Sequence, residues 1–270
     1  ALRAADPSIQ LIAVGAVGPW SEGMMQHAAD HMDLISEHFY RGNQPGLASH
    51  VQQIPDAVRS IADAHRQYRR RFDSLRNKDI RIALDEWNYW YGPHVFGELG
   101  TRYFLQDALG IAAGLNEFAR NSDIYFMANY AQTVNVIGCI KTDKTSATFA
   151  TTGLALALYR RHFGTVPVDV TTEKPLDVAA ALTGDRKRLT IAVVNPTMQK
   201  LDLPLNVQGA GLSGNGTRWQ IAGDDPMAYN EPGKPPKVSI EEAALENVSD
   251  KLSVAPCSVA VFALELAPSR

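Results

Sequence analysis

The sequence predicts an α/β domain followed by an all-β domain, with the break near residue 165. Three observations point there. Through residue 164, short β-branched or apolar runs alternate with long amphipathic segments, the pattern of βα units around a parallel sheet. Beyond Gly164 apolar residues recur at every second position between turn residues, the pattern of antiparallel strands. With 270 residues, 45% of them hydrophobic and 20% charged, the chain can bury the core of one large domain or two ordinary ones.

In the first domain the β-branched and apolar runs predict strands at residues 9–14, 34–40, 80–86 and 123–130. Between the second and third, Val58, Ile61, His65, Tyr68, Phe72 and Leu75 recur at spacings of three and four, one apolar stripe on a helix opened by Pro55-Asp56. His65 on that stripe reads as a packed or partly exposed helix residue, not a ligand. Further helices are predicted at 101–120 and at 146–163, the latter stopped by Gly164. The period-two runs at 166–170, 178–182, 189–194 and 201–207, with strands at 218–221 and 258–266, predict an all-β module, most simply a sandwich. Residues 223–236 hold Asp224-Asp225-Pro226 and Pro232-Gly233-Lys234-Pro235-Pro236, which cannot continue a central strand and read as a long surface loop. No internal repeat or low-complexity tract is evident.

A formal net charge of −3 gives no broad electrostatic reason to expect nucleic acid or an anionic membrane as partner. Arg69-Arg70-Arg71, the densest basic run, reads as a solvated helix face. No apolar stretch is long enough to predict a membrane span. Cys139 and Cys257, far apart and without metal-ligand spacing, read as free thiols. Residues 1–7 read as the tail of a helix running into a turn, so the chain is expected to begin in mid-fold, and the lack of a signal peptide carries no weight.

Catalytic groups of a (β/α)8 barrel sit where its parallel strands finish. Glu86 stands at such an end, after the buried run Ile80-Arg81-Ile82-Ala83-Leu84, and an aromatic cluster of Trp87, Tyr89, Trp90 and Tyr91 follows it. Sugars present apolar ring faces and hydroxyl edges, so a carboxylate set among Trp and Tyr suits carbohydrate chemistry. The second strand ends in Glu37-His38-Phe39-Tyr40, and by alternation His38 and Tyr40 point to one side, opposite Phe39. Alone, His38 or Gln132 would read as a core residue with its hydrogen bonds satisfied. Shared placement at strand ends makes them site candidates.

Two strings are specific. Ile82-Ala83-Leu84-Asp85-Glu86-Trp87-Asn88-Tyr89-Trp90-Tyr91 and Met127-Ala128-Asn129-Tyr130-Ala131-Gln132-Thr133-Val134-Asn135-Val136-Ile137 resemble glycoside hydrolase family 51, the α-L-arabinofuranosidases. The resemblance extends over nearly the whole chain. Residues 33–40 resemble the family's sixth barrel strand, and Gly223-Asp224-Asp225-Pro226 with Asn230 and Val238 resembles its C-terminal sandwich. It implies the second half of a (β/α)8 TIM barrel at 1–164, strands five to eight, followed by a β-sandwich at 165–270. It further implies that Glu86 is the nucleophile of a retaining, exo-acting enzyme, that Tyr40 hydrogen-bonds its carboxylate, and that His38, Trp90 and Gln132 line the pocket around an arabinofuranosyl ring. No metal or organic cofactor is implied, and the substrate class is arabinan, arabinoxylan or derived oligosaccharides. Members assemble as oligomers, so a homo-oligomer is implied without its number, and a cytoplasmic location is favoured.

In the family the acid/base glutamate follows an asparagine at the end of the fourth strand, and no residue here matches it. Asn116-Glu117 has the right letters but lies inside a predicted helix, where it reads as ordinary helix surface. Four βα units cannot close an eight-stranded barrel, and an open half exposes a strand edge and apolar interior side chains. The expected partner is therefore an N-terminal half-barrel, present as a separate or cleaved chain, that carries the acid/base glutamate. Two other readings stay open: an endoglucanase or xylanase of the same fold, and a non-catalytic carbohydrate-binding fragment.

Overall fold

The computed structural model describes residues 1–95 and 97–267, so the last three positions of the predicted sandwich lie outside the described residues. The architecture is mixed α/β with many strands. The chain divides into two compact units that cut across the boundary at residue 165: Ala1–Tyr40, Asp56–Asn88 and Asn121–Ala131 form one, and Arg41–Pro55, Tyr89–Arg120 and Gln132–Arg270 the other.

The first unit is built on a four-stranded sheet in the order β1 (Ile12–Ala13), β2 (Leu34–Arg41), β3 (Arg81–Tyr89), β4 (Tyr125–Tyr130). β1 runs parallel to β2, and β3 parallel to β4. Ile82, Ala83 and Leu84 are fully buried, as a strand covered on both faces requires. After the short helix α1 (Leu2–Ala5), helix α2 (Pro19–His27) starts with proline at its first position, where a missing N–H costs nothing. Met25, Ile35, Tyr68, Leu75 and Ile80 form one apolar cluster under the sheet. His65, which the stripe left either packed or partly exposed, is buried, its Nε2 2.7 Å from Oε1 of the buried Glu37. Within the basic run, Arg69 donates to the carbonyl of Ile80 and Arg71 pairs with Glu22.

Helix α3 (Leu47–Arg71) begins at Leu47, not at Pro55, and carries that proline in its interior. Proline there removes a backbone hydrogen bond and costs about 3 kcal/mol. The helix continues because its apolar stripe extends through the proline: Val51, Ile54, Ala57, Val58, Ile61 and Ala62 are all buried, the valines and isoleucines each contributing roughly 1.5–3 kcal/mol.

In the second unit, helix α4 (Leu105–Arg120), the hairpin β5 (Ile140–Thr142) and β6 (Ala147–Phe149), and helix α5 (Thr151–His162) precede an antiparallel six-stranded sheet. Its order is β12 (Glu241–Leu245), β11 (Leu212–Ala222), β14 (Ser258–Leu266), β9 (Arg188–Asn195), β8 (Asp177–Leu182), β7 (Val166–Val168). β10 (Leu201–Pro204) pairs with β13 (Lys251–Val254) as a separate ribbon. Val178, Ala180, Ile191, Val193, Ala260, Phe262 and Leu264 line one face of the sheet and share a core with Leu203, Leu252 and Val254 of the ribbon. The alternate positions are smaller, among them Ala179, Ala181, Ala192 and Ala263, and α4 and α5 pack on the sheet. Both faces are therefore covered, which is why β9 and β14 read as nearly continuous apolar runs. Residues 223–236 contain no strand, as their prolines predict.

Asn116 and Glu117 do not lie on a helix surface. Both are buried, Asn116 Nδ2 donating to Asp177 Oδ1 at 2.7 Å and Glu117 accepting from Arg120, which also pairs with Asp177. Buried charges are tolerated only when paired in this way.

Candidate active site

β2 presents Ser36, His38 and Tyr40 on one face, because side chains two residues apart in a strand share a side. Phe39 takes the other side, buried, its ring 6.3 Å from that of Trp87. Glu86 lies on the neighbouring strand β3 with its side chain 48% exposed. The Tyr40 hydroxyl donates to Glu86 Oε2 at 2.7 Å. Burial, then the hydrogen bond to the Glu86 carboxylate, push the Tyr40 hydroxyl well above the ordinary tyrosine range, so it stays a donor at any pH the fold tolerates. His38, itself 48% exposed, brings Nδ1 to 3.6 Å from Glu86 Oε2, too far for a direct hydrogen bond, while its Nε2 lies 2.7 Å from Asp85 Oδ1. Ser36 Oγ donates to that same Asp85 oxygen at 2.8 Å.

A half-exposed carboxylate held by a phenol and flanked by an imidazole is equipped for nucleophilic or general-base work; Glu86 lies three residues before the end of β3, which runs on to Tyr89 and does not stop at residue 86 as the apolar run predicts. Among the described residues, no group of three or more His, Cys, Asp or Glu side chains is arranged to hold a metal ion. Both cysteines are free thiols, and burial pushes that of Cys257 up to about 12.

Trp90 and Gln132 belong to the second unit, and their geometry is described there. Trp90 is 38% exposed and its backbone N–H donates to the carbonyl of Arg41. Gln132 is exposed and its carbonyl accepts from Cys139 N–H. It opens a loop with Asn135 and Val136 at positive φ, 53° and 41°, a backbone conformation costly for a β-branched residue. The loop is pinned from below: the buried Lys141 ammonium donates to the Val136 carbonyl at 3.0 Å and lies over the Tyr103 ring. Burial lowers that ammonium to about 8. Close by in the same unit, His50 Nε2 lies 2.8 Å from Asp107 Oδ1, and Tyr91 donates to the same buried carboxylate, which fixes the residue after Trp90.

The description "Alpha-L-arabinofuranosidase C-terminal domain" belongs to a family model that matches residues 85–258, well over half of the chain and starting one residue before Glu86. The chain belongs to the α-L-arabinofuranosidase family. An intracellular exo-α-(1→5)-L-arabinofuranosidase of Bacillus subtilis is 25% identical over 76% of this chain and 47% of its own length. A probable α-L-arabinofuranosidase C of Aspergillus flavus is 30% identical over 87% of this chain and 53% of its own. Among solved structures, an α-L-arabinofuranosidase from Thermotoga maritima in complex with arabinose matches with a TM-score of 0.86 and 28% identity, over 98% of this chain and 59% of the other. The chain spans about half the length of the curated relatives it matches. No helix among the described residues of this arabinofuranosidase-family chain is long and apolar enough to cross a membrane.

Within this family context, sequence reasoning missed Asp85 and Ser36. Ser36 carried a signal, since it lies two residues before His38 on the same face. Asp85 carried none: strand alternation puts it opposite Glu86.

Proposed function

We propose that the chain supplies the nucleophile of a retaining, exo-acting α-L-arabinofuranosidase that releases terminal arabinofuranosyl residues from arabinan- or arabinoxylan-type glycans. Glu86 attacks the anomeric carbon and forms a covalent glycosyl-enzyme. A second carboxyl, about 5 to 5.5 Å away in such enzymes, protonates the leaving oxygen and then activates water. Tyr40 orients the Glu86 carboxylate, and His38, Trp90 and Gln132 line the pocket around the furanose. The chemistry needs no metal or organic cofactor. The observation that carries the reading is the half-exposed Glu86 in the C-terminal half of a parallel strand, bonded by Tyr40 and flanked by His38 inside the family's Asp-Glu-Trp-Asn string.

Residues 1–164 are proposed as strands five to eight of a (β/α)8 barrel and 165–270 as a β-sandwich, with the acid/base glutamate on an N-terminal half outside these residues. In support, the edge strands of the four-stranded sheet carry apolar side chains in solvent, Ile12 on β1 and Phe126 on β4, where a closed barrel would cover them. An intracellular location is supported by the name of the Bacillus protein, which calls that protein intracellular, and a homo-oligomer is proposed from the family resemblance alone.

The deciding experiment determines subunit composition by intact mass and then assays the assembled enzyme and its Glu86→Ala variant on an aryl α-L-arabinofuranoside. Loss of about four or more orders of magnitude is expected on removing a covalent nucleophile. Near-normal turnover in the variant would sink the assignment. Faster hydrolysis of an aryl glucoside or xyloside would instead favour an endoglucanase or xylanase, and sugar binding with no turnover by the assembled protein a non-catalytic one.

A further inference from the structure

In the second unit, both chain neighbours of Trp90 are fastened to one histidine. His50 stands in the first turn of α3 and is fully buried. The Tyr89 ring stacks on its imidazole with centroids 4.5 Å apart, and the Tyr89 hydroxyl donates to the His50 carbonyl at 2.8 Å. From the other side, the Tyr91 ring meets the same imidazole edge-on with centroids 6.1 Å apart. Its hydroxyl donates to the Asp107 carboxylate, which is hydrogen-bonded to His50 Nε2 at 2.8 Å. Asp107 is fully buried and also accepts from the Phe104 N–H at 2.7 Å. Between the two tyrosines, Trp90 donates its backbone N–H to the Arg41 carbonyl at 2.8 Å and keeps 38% of its surface exposed.

The hydrogen bonds define the state of the ring. The Gln44 N–H donates to Nδ1 at 3.3 Å, so Nδ1 carries the lone pair and the ring proton sits on Nε2, from which it is donated to Asp107 Oδ1. Both ring nitrogens are paired, as burial requires. An apolar residue would fill the same space without partners. The imidazole does more than fill it, because each of its attachments ends on a residue adjacent to Trp90, and the backbone of Trp90 is thereby held from both sides.

We propose that His50, with Asp107, is the positioning residue for Trp90 and holds the indole as a preformed wall for the sugar ring. The inference rests on the reading of Trp90 as a residue that lines the furanose pocket. His50 and Asp107 are both buried, so neither touches the sugar. A wall ordered before binding contributes affinity that a mobile one loses to its own ordering. Because that contact is made in the ground state and in the transition state alike, its loss raises KM and leaves kcat nearly unchanged.

The test uses the assembled enzyme, this chain with its N-terminal half, as wild type, His50→Gln, Tyr91→Phe, Trp90→Ala, both pairings of the first two with Trp90→Ala, and Glu86→Ala. His50→Gln keeps an N–H for Asp107 but has no ring to stack on Tyr89, and Tyr91→Phe removes the phenol alone. Steady-state kcat and KM are measured on an aryl α-L-arabinofuranoside, below each variant's melting temperature. The expected results are a KM raised about tenfold or more in Trp90→Ala and about three- to tenfold in His50→Gln and Tyr91→Phe, with kcat within twofold in the latter two. Added to Trp90→Ala, neither substitution is expected to change KM further. A merely structural role would give independent effects that multiply. If Trp90→Ala raises KM but His50→Gln and Tyr91→Phe leave it within twofold, or their effects multiply with that of Trp90→Ala, the inference is overturned and the function stands. If Trp90→Ala leaves KM unchanged while Glu86→Ala is inactive, the nucleophile stands, and the place of Trp90 in the pocket falls with the inference. Turnover by Glu86→Ala would remove the functional reading and the inference together. Should His50→Gln not fold, Tyr91→Phe carries the same comparison, and a wild-type nitrogen NMR signature with the His50 proton on Nδ1 overturns the proposal without any variant.

Discussion

At the scale of single residues, the site depends on which groups touch the Glu86 carboxylate. Tyr40 gives it one hydrogen bond of 2.7 Å from a hydroxyl that burial keeps protonated. A hydrogen bond to a charged group contributes about 1.5–3 kcal/mol, roughly ten- to a hundredfold in rate if it holds in the transition state. Tyr40→Phe in the assembled enzyme is therefore expected to lower kcat/KM by that factor, read by steady-state kinetics, with folding intact because Tyr40 lies beside the half-exposed Glu86 and not in the core. A loss of twofold or less would show that Glu86 is oriented by other groups. His38 and Tyr40 were legible as a pair from strand alternation alone, whereas Asp85 was not, because alternation placed it on the wrong face.

At the scale of elements, close packing decides what the helices can carry. Gly110 lies inside α4, where alanine would ordinarily be favoured by about 1 kcal/mol. Here a Cβ would sit 2.0 Å from the Tyr89 hydroxyl oxygen and 2.7 Å from two ring carbons. That ring cannot yield: it is fully buried, stacked on His50 with centroids 4.5 Å apart, and its hydroxyl donates to the His50 carbonyl at 2.8 Å. Gly110→Ala is expected to destabilise the chain by about 1–3 kcal/mol despite better helix propensity, seen as a lower urea midpoint at constant slope. A raised midpoint would mean that Tyr89 moves freely. The same preference for packing over propensity explains why α3 runs through Pro55, a residue that in isolation marks a helix start.

At the scale of the whole molecule, these residues match 47% and 53% of the Bacillus and Aspergillus relatives, and the proposed mechanism places its second carboxyl on an N-terminal half. Co-expression with an N-terminal half-barrel from the same enzyme is expected to yield activity on an aryl α-L-arabinofuranoside that neither part shows alone. Activity of this chain by itself at the level of the mixture would overturn the shared-site scheme. The arrangement of strands is where the sequence was most informative, since the four strands of the first unit's sheet and most of those in the antiparallel sheet follow from apolar periodicity. β12, β13 and the hairpin of β5 and β6 escaped it: β12 reads Glu-Glu-Ala-Ala-Leu at a sheet edge, β13 is four residues long, and β5 and β6 have three residues each, β6 occupying the first residues of the helix expected at 146–163, too little pattern to separate from loop or helix.

What the sequence determined by itself is local and periodic: the principal strands and the long helices, the strand that carries Glu86, the shared face of His38 and Tyr40, and a family string specific enough to suggest the chemistry. Tertiary structure alone decided what depends on register and on partners distant in the chain. The bulge that turns Asp85 toward His38 exists only in the pairing of β3 with β4. The burial of Asn116 and Glu117 depends on Asp177, which a helix pattern cannot show. Side-chain periodicity is set by each residue and its near neighbours, whereas register and charge pairing are settled when separate elements compete for the same space, and there the site acquires the contacts its residue types alone do not reveal.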